Sequence, residues 1–401
     1  MRGAGCEMTA DVLIAGAGPA GCAAAIQLAR AGRRVILLDR SRFPRDKACG
    51  DGLIADSIAA LQTLGLDDAV SRASYRASGL LTISPGGVEV RFQSTFWVLP
   101  RIALDDIIFQ GALEAGVQFE HVIVEGPIVD EGRVVGVAGR RPGSGERVEF
   151  RAPLTMLATG GAAATLRKFD PGARSDASGV AIRTYVRPAR SSISELVISL
   201  ERDLLPGYAW AFPSPDGLLN VGVGALRARG RGADDPNLRQ RLDALLQGRG
   251  RLGALLGPQT AVTPYQGAPL RTSLKGTRFG RPGLVVIGEA AGTTYSLSGE
   301  GIGKAMESGM LAAQLAVDAA HGAPLIAERY ASILKHRYAA RFRTYDIAQR
   351  WVAFPFISDY VARRANNSQW VHDRLTRIIT EQALPTHVFS ARTIWRLMTH
   401  G

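Results

Sequence analysis

The stretch "FPRDKACGDGL", residues 43–53, sets one thiol, Cys49, behind three cations, Arg42, Arg45 and Lys47, and between the glycines Gly50 and Gly52 and the rest of the loop. Cations beside a cysteine favour its thiolate, the reactive form. Glycines let backbone N–H groups come close to a flat ligand. Three more glycines, Gly16, Gly18 and Gly21, make the pattern G-x-G-x-x-G. Gly16 permits a tight turn, Gly18 lets the chain approach a pyrophosphate, and Gly21 lets a helix pack close to a sheet. The N-terminus of that helix then offers its N–H groups to the phosphates. Asp39 follows Gly21 by 18 residues, at the distance where an acid takes ribose hydroxyls. Ala20 at the helix start and Arg40 beside the acid complete the expected contacts. An acid at this place points to an unphosphorylated adenosine ribose, hence FAD or NAD.

Such a site needs a strand, a helix and a second strand in register. Asp11 to Arg40 supplies them: a short apolar run at 12–15, an Ala-rich helix ended by Gly32, and a second apolar run at 35–38. This is a βαβ unit of a parallel sheet. A helix is expected over 101–116, short β-rich pieces over 117–138, and a strand entering a glycine turn over 147–161. The alternating pattern over 179–226 predicts an antiparallel sheet with one exposed face. Residues 281–292 return to a buried strand followed by glycine, 301–320 to a small-residue helix, and the tail from about 324 is helical.

The chain of 401 residues is 46% hydrophobic and carries a formal charge of +12, with only five lysines among its 48 basic residues. The arginines are scattered, with no helix-turn-helix or zinc module, so nucleic acid is not an expected partner. No uncharged apolar run reaches about 18 residues, which excludes a predicted membrane-spanning helix. The first residues lack the apolar stretch of a signal peptide, and Met8 is a candidate start. The cysteines Cys6, Cys22 and Cys49 have neither metal nor disulfide spacing. Cys22 reads as core and Cys6 as part of a disordered tail. The histidines His121, His321, His336, His372, His387 and His400 are dispersed, so no metal site is expected. A cytoplasmic location, peripheral to a membrane at most, follows. No G-x-S-x-G and no P-loop occurs.

Between Val285 and Ala313 the chain reads "VVIGEAAGTTYSLSGEGIGKAMESGMLAA". This resembles the second flavin fingerprint of flavoproteins with the p-hydroxybenzoate hydroxylase fold, with Glu289 where an Asp is usual. Glu289 would bond the ribityl chain. Gly299, Gly301, Ile302 and Gly303 would open a helix whose dipole faces the ring edge where charge gathers on reduction. Arg101 and Asp105 match the "R-x-x-x-D" helix start of that fold, with Arg101 reaching the flavin, and Val124 would give backbone contacts at the adenine end. The "C-G-x-G" loop at Cys49 and "YAWAFP" at 208–213 resemble more narrowly the geranylgeranyl reductase family of FAD-dependent oxidoreductases, over about residues 11–320.

The resemblance implies a mixed α/β chain. Its Rossmann-like FAD-binding domain would comprise 8–72, 98–178 and 280–325. A substrate domain with an antiparallel sheet, 73–97 and 179–279, is inserted, and 326–401 forms a helical C-terminal segment. The FAD contacts are Gly16, Gly18, Ala20, Gly21, Asp39, Arg40, Cys49, Gly50, Arg101, Val124, Glu289, Gly299, Gly301 and Ile302. Cys49, Tyr208 and Trp210 are the catalytic candidates. Tyr208, Trp210 and Phe212 alternate along a strand and so share one face, a wall for an apolar substrate. Trp97 and Tyr185 are further pocket candidates. The expected reaction is saturation of a carbon–carbon double bond in a prenyl-like, lipid-like or other apolar intermediate, by hydride from flavin N5 and a proton from Cys49, Tyr208 or water. NAD(P)H or another donor would supply the electrons.

Rivals stay open. Thr159-Gly160 replaces the Asp-Gly of flavin hydroxylases, and "YAWAFP" only partly echoes the "WxWxIP" of halogenases. A monooxygenase or halogenase acting on an aromatic or carrier-bound metabolite is therefore the main alternative. A dehydrogenase and a non-catalytic basic binding protein are the others. The segment 326–401 has 12 Lys/Arg against 5 Asp/Glu, with Trp351, Phe354, Phe356, Tyr360, Trp370 and Trp395 interspersed. It reads either as an amphipathic cover on the substrate domain or as a surface for an anionic membrane or an acidic carrier protein.

Overall fold

A computed structural model describes residues 8–161, 163–170, 177–188, 193–226, 237–319 and 326–385. Cys6, His321, His387, His400, Trp395 and the rest of the tail beyond 385 lie outside the described residues.

The glycine-rich start folds as its pattern requires. Strand Val12–Ala15 is buried at every position, as a parallel strand covered on both faces must be. It runs into helix Pro19–Arg30, which has proline in its first turn and nine buried residues, and then into strand Val35–Asp39. Distant segments complete this sheet in the order Gly280–Arg281, Leu284–Val286, Leu154–Leu157, Val12–Ala15, Val35–Asp39 and Gln118–His121. All its pairings are parallel except that of Gly280–Arg281. Small residues let its helices touch. A Cβ on Gly309, in helix Ile302–Asp318, would collide with the Ala20 carbonyl, so the two long helices pack backbone to backbone there.

A second sheet of eight strands runs Gln266–Leu270, Gly179–Val186, Leu219–Leu226, Tyr208–Pro213, Leu196–Ser199, Tyr75–Ile83, Glu89–Val98 and Gly52–Leu53. It is antiparallel except where Leu196–Ser199 lies parallel to Tyr75–Ile83. Its short edge strand, Gly52–Leu53, is the end of the Cys49 loop, paired with Trp97 and Val98. That pairing ties the loop to this sheet. A four-stranded sheet packs beside the first. Helices Ile326–Val352, Pro355–Asn367 and Gln369–Ile379 form the C-terminal part. The last two lay Ala362, Ala365 and Val371 into the apolar cluster that contains Trp210 and Phe212. The chain is thus a mixed α/β protein with a Rossmann-like parallel sheet, an antiparallel sheet and a helical C-terminal part. Among the described residues no helix is long and apolar enough to cross a membrane.

Candidate active site and cofactor cleft

Strand ends and turns of the parallel sheet line a cleft of about 600 Å³. Gly16, Gly18, Ala20, Asp39, Arg40, Val124, Arg101 and Glu289 all border it. Gly16 has φ +114°, and a Cβ there would strike the Ala158 carbonyl, so only glycine makes this turn. Gly18 is extended, caps the helix without a side-chain bond, and has no neighbour nearer to a built Cβ than Arg45 Nη2 at 3.6 Å. A long anion can therefore reach the N–H groups of the first turn. Gly21 does not border the cleft. A Cβ on it would drive into the Gly16 carbonyl, so it serves the close packing of helix on turn. Asp39 accepts from Ala17 N–H and Ser41 N–H, both at 2.8 Å, which fixes its carboxylate at the cleft. Val124 lies in the strand Ile123–Asp130, the second strand after the Arg101 helix.

The cleft continues into an apolar cavity of about 150 Å³. Cys49, Gly50, Tyr208, Trp210 and Phe212 line it from one side, and Gly299, Gly301 and Ile302 from the other. Arg101 and Glu289 border both spaces. The residues expected at the two fingerprints, the cysteine loop and the aromatic row are thus brought together. The lining suits a ligand with the chemistry of FAD: the Gly16–Gly18 turn and the first turn of the helix, the Asp39 carboxylate, and Gly50, Gly299 and Gly301 around the apolar cavity.

The cysteine loop is held at every turn. Arg45 pairs with Asp105 at 2.9 Å, Asp46 with Arg183 at 2.6 Å, and Lys47 with Glu289 at 3.0 Å. Asn220 donates from Nδ2 to the Cys49 carbonyl at 2.8 Å and to Asp51 Oδ2 at 2.5 Å, and accepts from Trp210 Nε1 at 2.9 Å. Asp51 also accepts from Tyr185 Oη at 2.5 Å and from Arg101 N–H at 3.2 Å. Its own N–H donates to Cys49 Sγ at 3.3 Å. Asp51 is the one residue of the loop with a positive φ, 69°, that is not glycine.

One expectation is overturned. Burial pushes the Cys49 thiol up, opposed by Arg101 and Lys47 and aided by the Asp51 charge, while Arg45 and Lys47 are themselves paired with Asp105 and Glu289. The site therefore favours the thiol form of Cys49 over the thiolate. Burial likewise raises Asp51, to about 6, against the hydrogen bonds of Tyr185 and Asn220. Asp105 is held below the usual carboxylate range: burial works against this, but Arg101, Arg45 and Lys47 win. Arg101 meets Asp105 through two bonds of 2.7 Å, both groups being buried. Tyr208 donates its hydroxyl to the Ser298 carbonyl, and burial raises it above the ordinary phenol. Of the two further pocket candidates, Tyr185 belongs to the Asp51 network, while Trp97 packs in the main core under the Arg76 guanidinium, 4.1 Å from its ring centre.

Asp51, Asn220, Arg183 and Asp46 carried no motif. One signal did exist: Asn220 is the single polar residue in the apolar strand "LNVGVGAL". Cys22 is core, its Sγ donating to Ala17 O at 3.2 Å.

Known proteins resemble this chain over most of its length. The profile of the family described as FAD binding domain matches residues 9–170. A menaquinone reductase of Mycolicibacterium smegmatis is 33% identical over 374 residues, covering 85% of this chain and 83% of that protein. A digeranylgeranylglycerophospholipid reductase of Methanopyrus kandleri is 31% identical, covering 78% and 81%. A crystal structure of a geranylgeranyl bacteriochlorophyll reductase-like protein from Thermoplasma acidophilum superposes with a TM-score of 0.77 at 22% identity, covering 98% and 96%.

Proposed function

We propose that the chain, which belongs to the geranylgeranyl reductase family of FAD-dependent oxidoreductases, saturates a carbon–carbon double bond in a prenyl-like, membrane-borne substrate. One observation carries this reading: an apolar cavity lined by Tyr208, Trp210, Phe212 and the Cys49 thiol adjoins the cofactor cleft, with Lys47, Ala48, Arg101 and Glu289 bordering both. The relatives named for menaquinone and for a digeranylgeranyl lipid support the substrate class.

Bound FAD supplies a two-electron centre able to transfer hydride. Gly16, Gly18 and Asp39 would hold its adenosine diphosphate end, Glu289 the middle, and Gly50, Gly299, Gly301 and Ile302 the ring. Trp210 and Phe212 exclude water from the alkene, which matters because an isolated double bond is a poor acceptor in water. Cys49 holds the proton at Sγ. Tyr208 is the weaker proton carrier, since a phenol starts about 1.5 units above a thiol and this one is already bonded to Ser298. Asp51 and Asn220 position Cys49 and Trp210 through the bonds between them. Electrons come from NAD(P)H or another donor that visits from solution.

The test is turnover of the FAD-loaded protein, reduced chemically without oxygen, on a panel of polyprenyl quinones and polyprenyl lipids. Product heavier by two hydrogens supports the reading. Reaction only with oxygen, with product hydroxylated or halogenated, overturns it in favour of a monooxygenase or halogenase.

A further inference from the structure

We infer that the outer face of helix Pro355–Asn367, with the turn before it and the start of the next helix, docks on an anionic lipid bilayer. Among the described residues, large apolar side chains are partly exposed there: Phe356 by 69%, Phe354 by 47%, Tyr360 and Trp370 by 42% each, and Trp351 by 37%. The Phe354 and Phe356 rings lie 6.0 Å apart. Phe356, Tyr360 and Arg363, at i, i+4 and i+7, share one stripe of the helix. The opposite stripe, Ser358, Asp359, Ala362 and Ala365, is buried against the large sheet.

The orientation of this face is fixed. Asp359 accepts from Ser84 Oγ at 2.7 Å and from Gly86 N–H. Asn366 Nδ2 donates to Glu89 O at 2.8 Å, and His372 Nε2 lies 2.9 Å from Arg91 O. The aromatics therefore cannot turn inward without breaking these anchors.

Charge selects the occupant. Between residues 350 and 377 stand five arginines, Arg350, Arg363 and Arg377 exposed and Arg364 and Arg374 half-buried, against two acids, Asp359 and Asp373. Of these two, Asp359 is buried on the sheet side. Trp370 lies under the Arg374 guanidinium, 5.1 Å from its ring centre. Aromatic rings on a helix face whose neighbouring segments carry more arginines than acids fit a bilayer with negative headgroups. The inner side of the same helices reaches the apolar cluster of Trp210 and Phe212, so docking would put the bilayer one helix thickness, roughly 10 Å, from that cluster. The inference takes from the proposed function only the reason for docking, and its assay reads no turnover.

The FAD-loaded protein is sedimented with phosphatidylcholine vesicles, with and without phosphatidylglycerol, at low and high salt. Two variants follow: Phe356→Ser combined with Tyr360→Ser, and Arg363→Glu alone. The expected result is binding to anionic vesicles only, lost at high salt, and weakened roughly tenfold or more in each variant with flavin content unchanged. Absence of binding, or binding that both variants retain, overturns the inference. So does a wild-type dimer, seen by sedimentation velocity, that the double variant dissolves, since the face then belongs to a second copy. Docking without reduction of any prenyl substrate would overturn the proposed reaction and leave this inference standing.

Discussion

Asp51 concentrates the site's chemistry in one carboxylate. Three donors, Tyr185 Oη, Asn220 Nδ2 and Arg101 N–H, converge on it, and its own N–H reaches the Cys49 sulfur. Protonation puts a fourth donor among the three, so kcat is expected to fall below about pH 6, the value to which burial raises this group. Stability moves the other way. The folded chain holds this proton up to about 6 and the unfolded chain only up to 3.8, so this group favours folding increasingly as pH falls across that window. The gain is about 3 kcal/mol at most. Asp51→Asn sets an amide N–H against one of the three donors. It should lower kcat roughly tenfold at pH 7 and remove both pH effects, as a rate profile and melting curves at pH 4 to 7 would register. The sequence made Cys49 legible because its glycines and cations are neighbours. The Asp51 network was not, though Tyr185 and Arg101 were candidates singly, since Tyr185 and Asn220 meet Asp51 across 134 and 169 residues.

At the scale of elements, the helix that opens the cofactor cleft depends on a gap the width of one hydrogen. Gly21 lies against the Gly16 carbonyl so closely that any Cβ must push the helix off the turn. Gly21→Ala is expected to leave most of the fold intact but to cut FAD retention at least tenfold, roughly the loss of one to two phosphate-directed hydrogen bonds. Flavin absorbance per chain after gel filtration measures this. The βαβ unit, the Arg101 helix and the helix Ile302–Asp318 were readable because period and punctuation are local. The order of the large sheet was not. The parallel pairing of Leu196–Ser199 with Tyr75–Ile83, and the addition of Gly52–Leu53 at the far edge, join segments whose patterns say nothing about one another. The thiolate expectation failed for a related reason: composition reveals which cations are near a cysteine, but not how deeply the fold buries the sulfur.

Across the whole molecule, buried charge fastens the C-terminal helices to the cofactor-binding part. Lys304 Nζ sits 3.1 Å from Asp56, 2.7 Å from Glu307 and 3.5 Å from Glu381, while Arg341 donates to the Glu381 carbonyl at 2.7 Å. Burial, with Asp56 nearby and against Lys304 and Arg341, raises Glu381 to about 7. A carboxyl raised in the folded state favours folding below its unfolded value of 4.5 and loses that advantage as pH climbs to about 7. Glu381→Gln should therefore flatten the fall in Tm between pH 5 and 8, as calorimetry at constant ionic strength would detect. The moorings of the cysteine loop work on the same scale. Asp105, Arg183 and Glu289, which hold Arg45, Asp46 and Lys47, come from three remote parts of the chain. A graft of residues 43–53 into a cousin enzyme would carry the sulfur across without the posts it is tethered to.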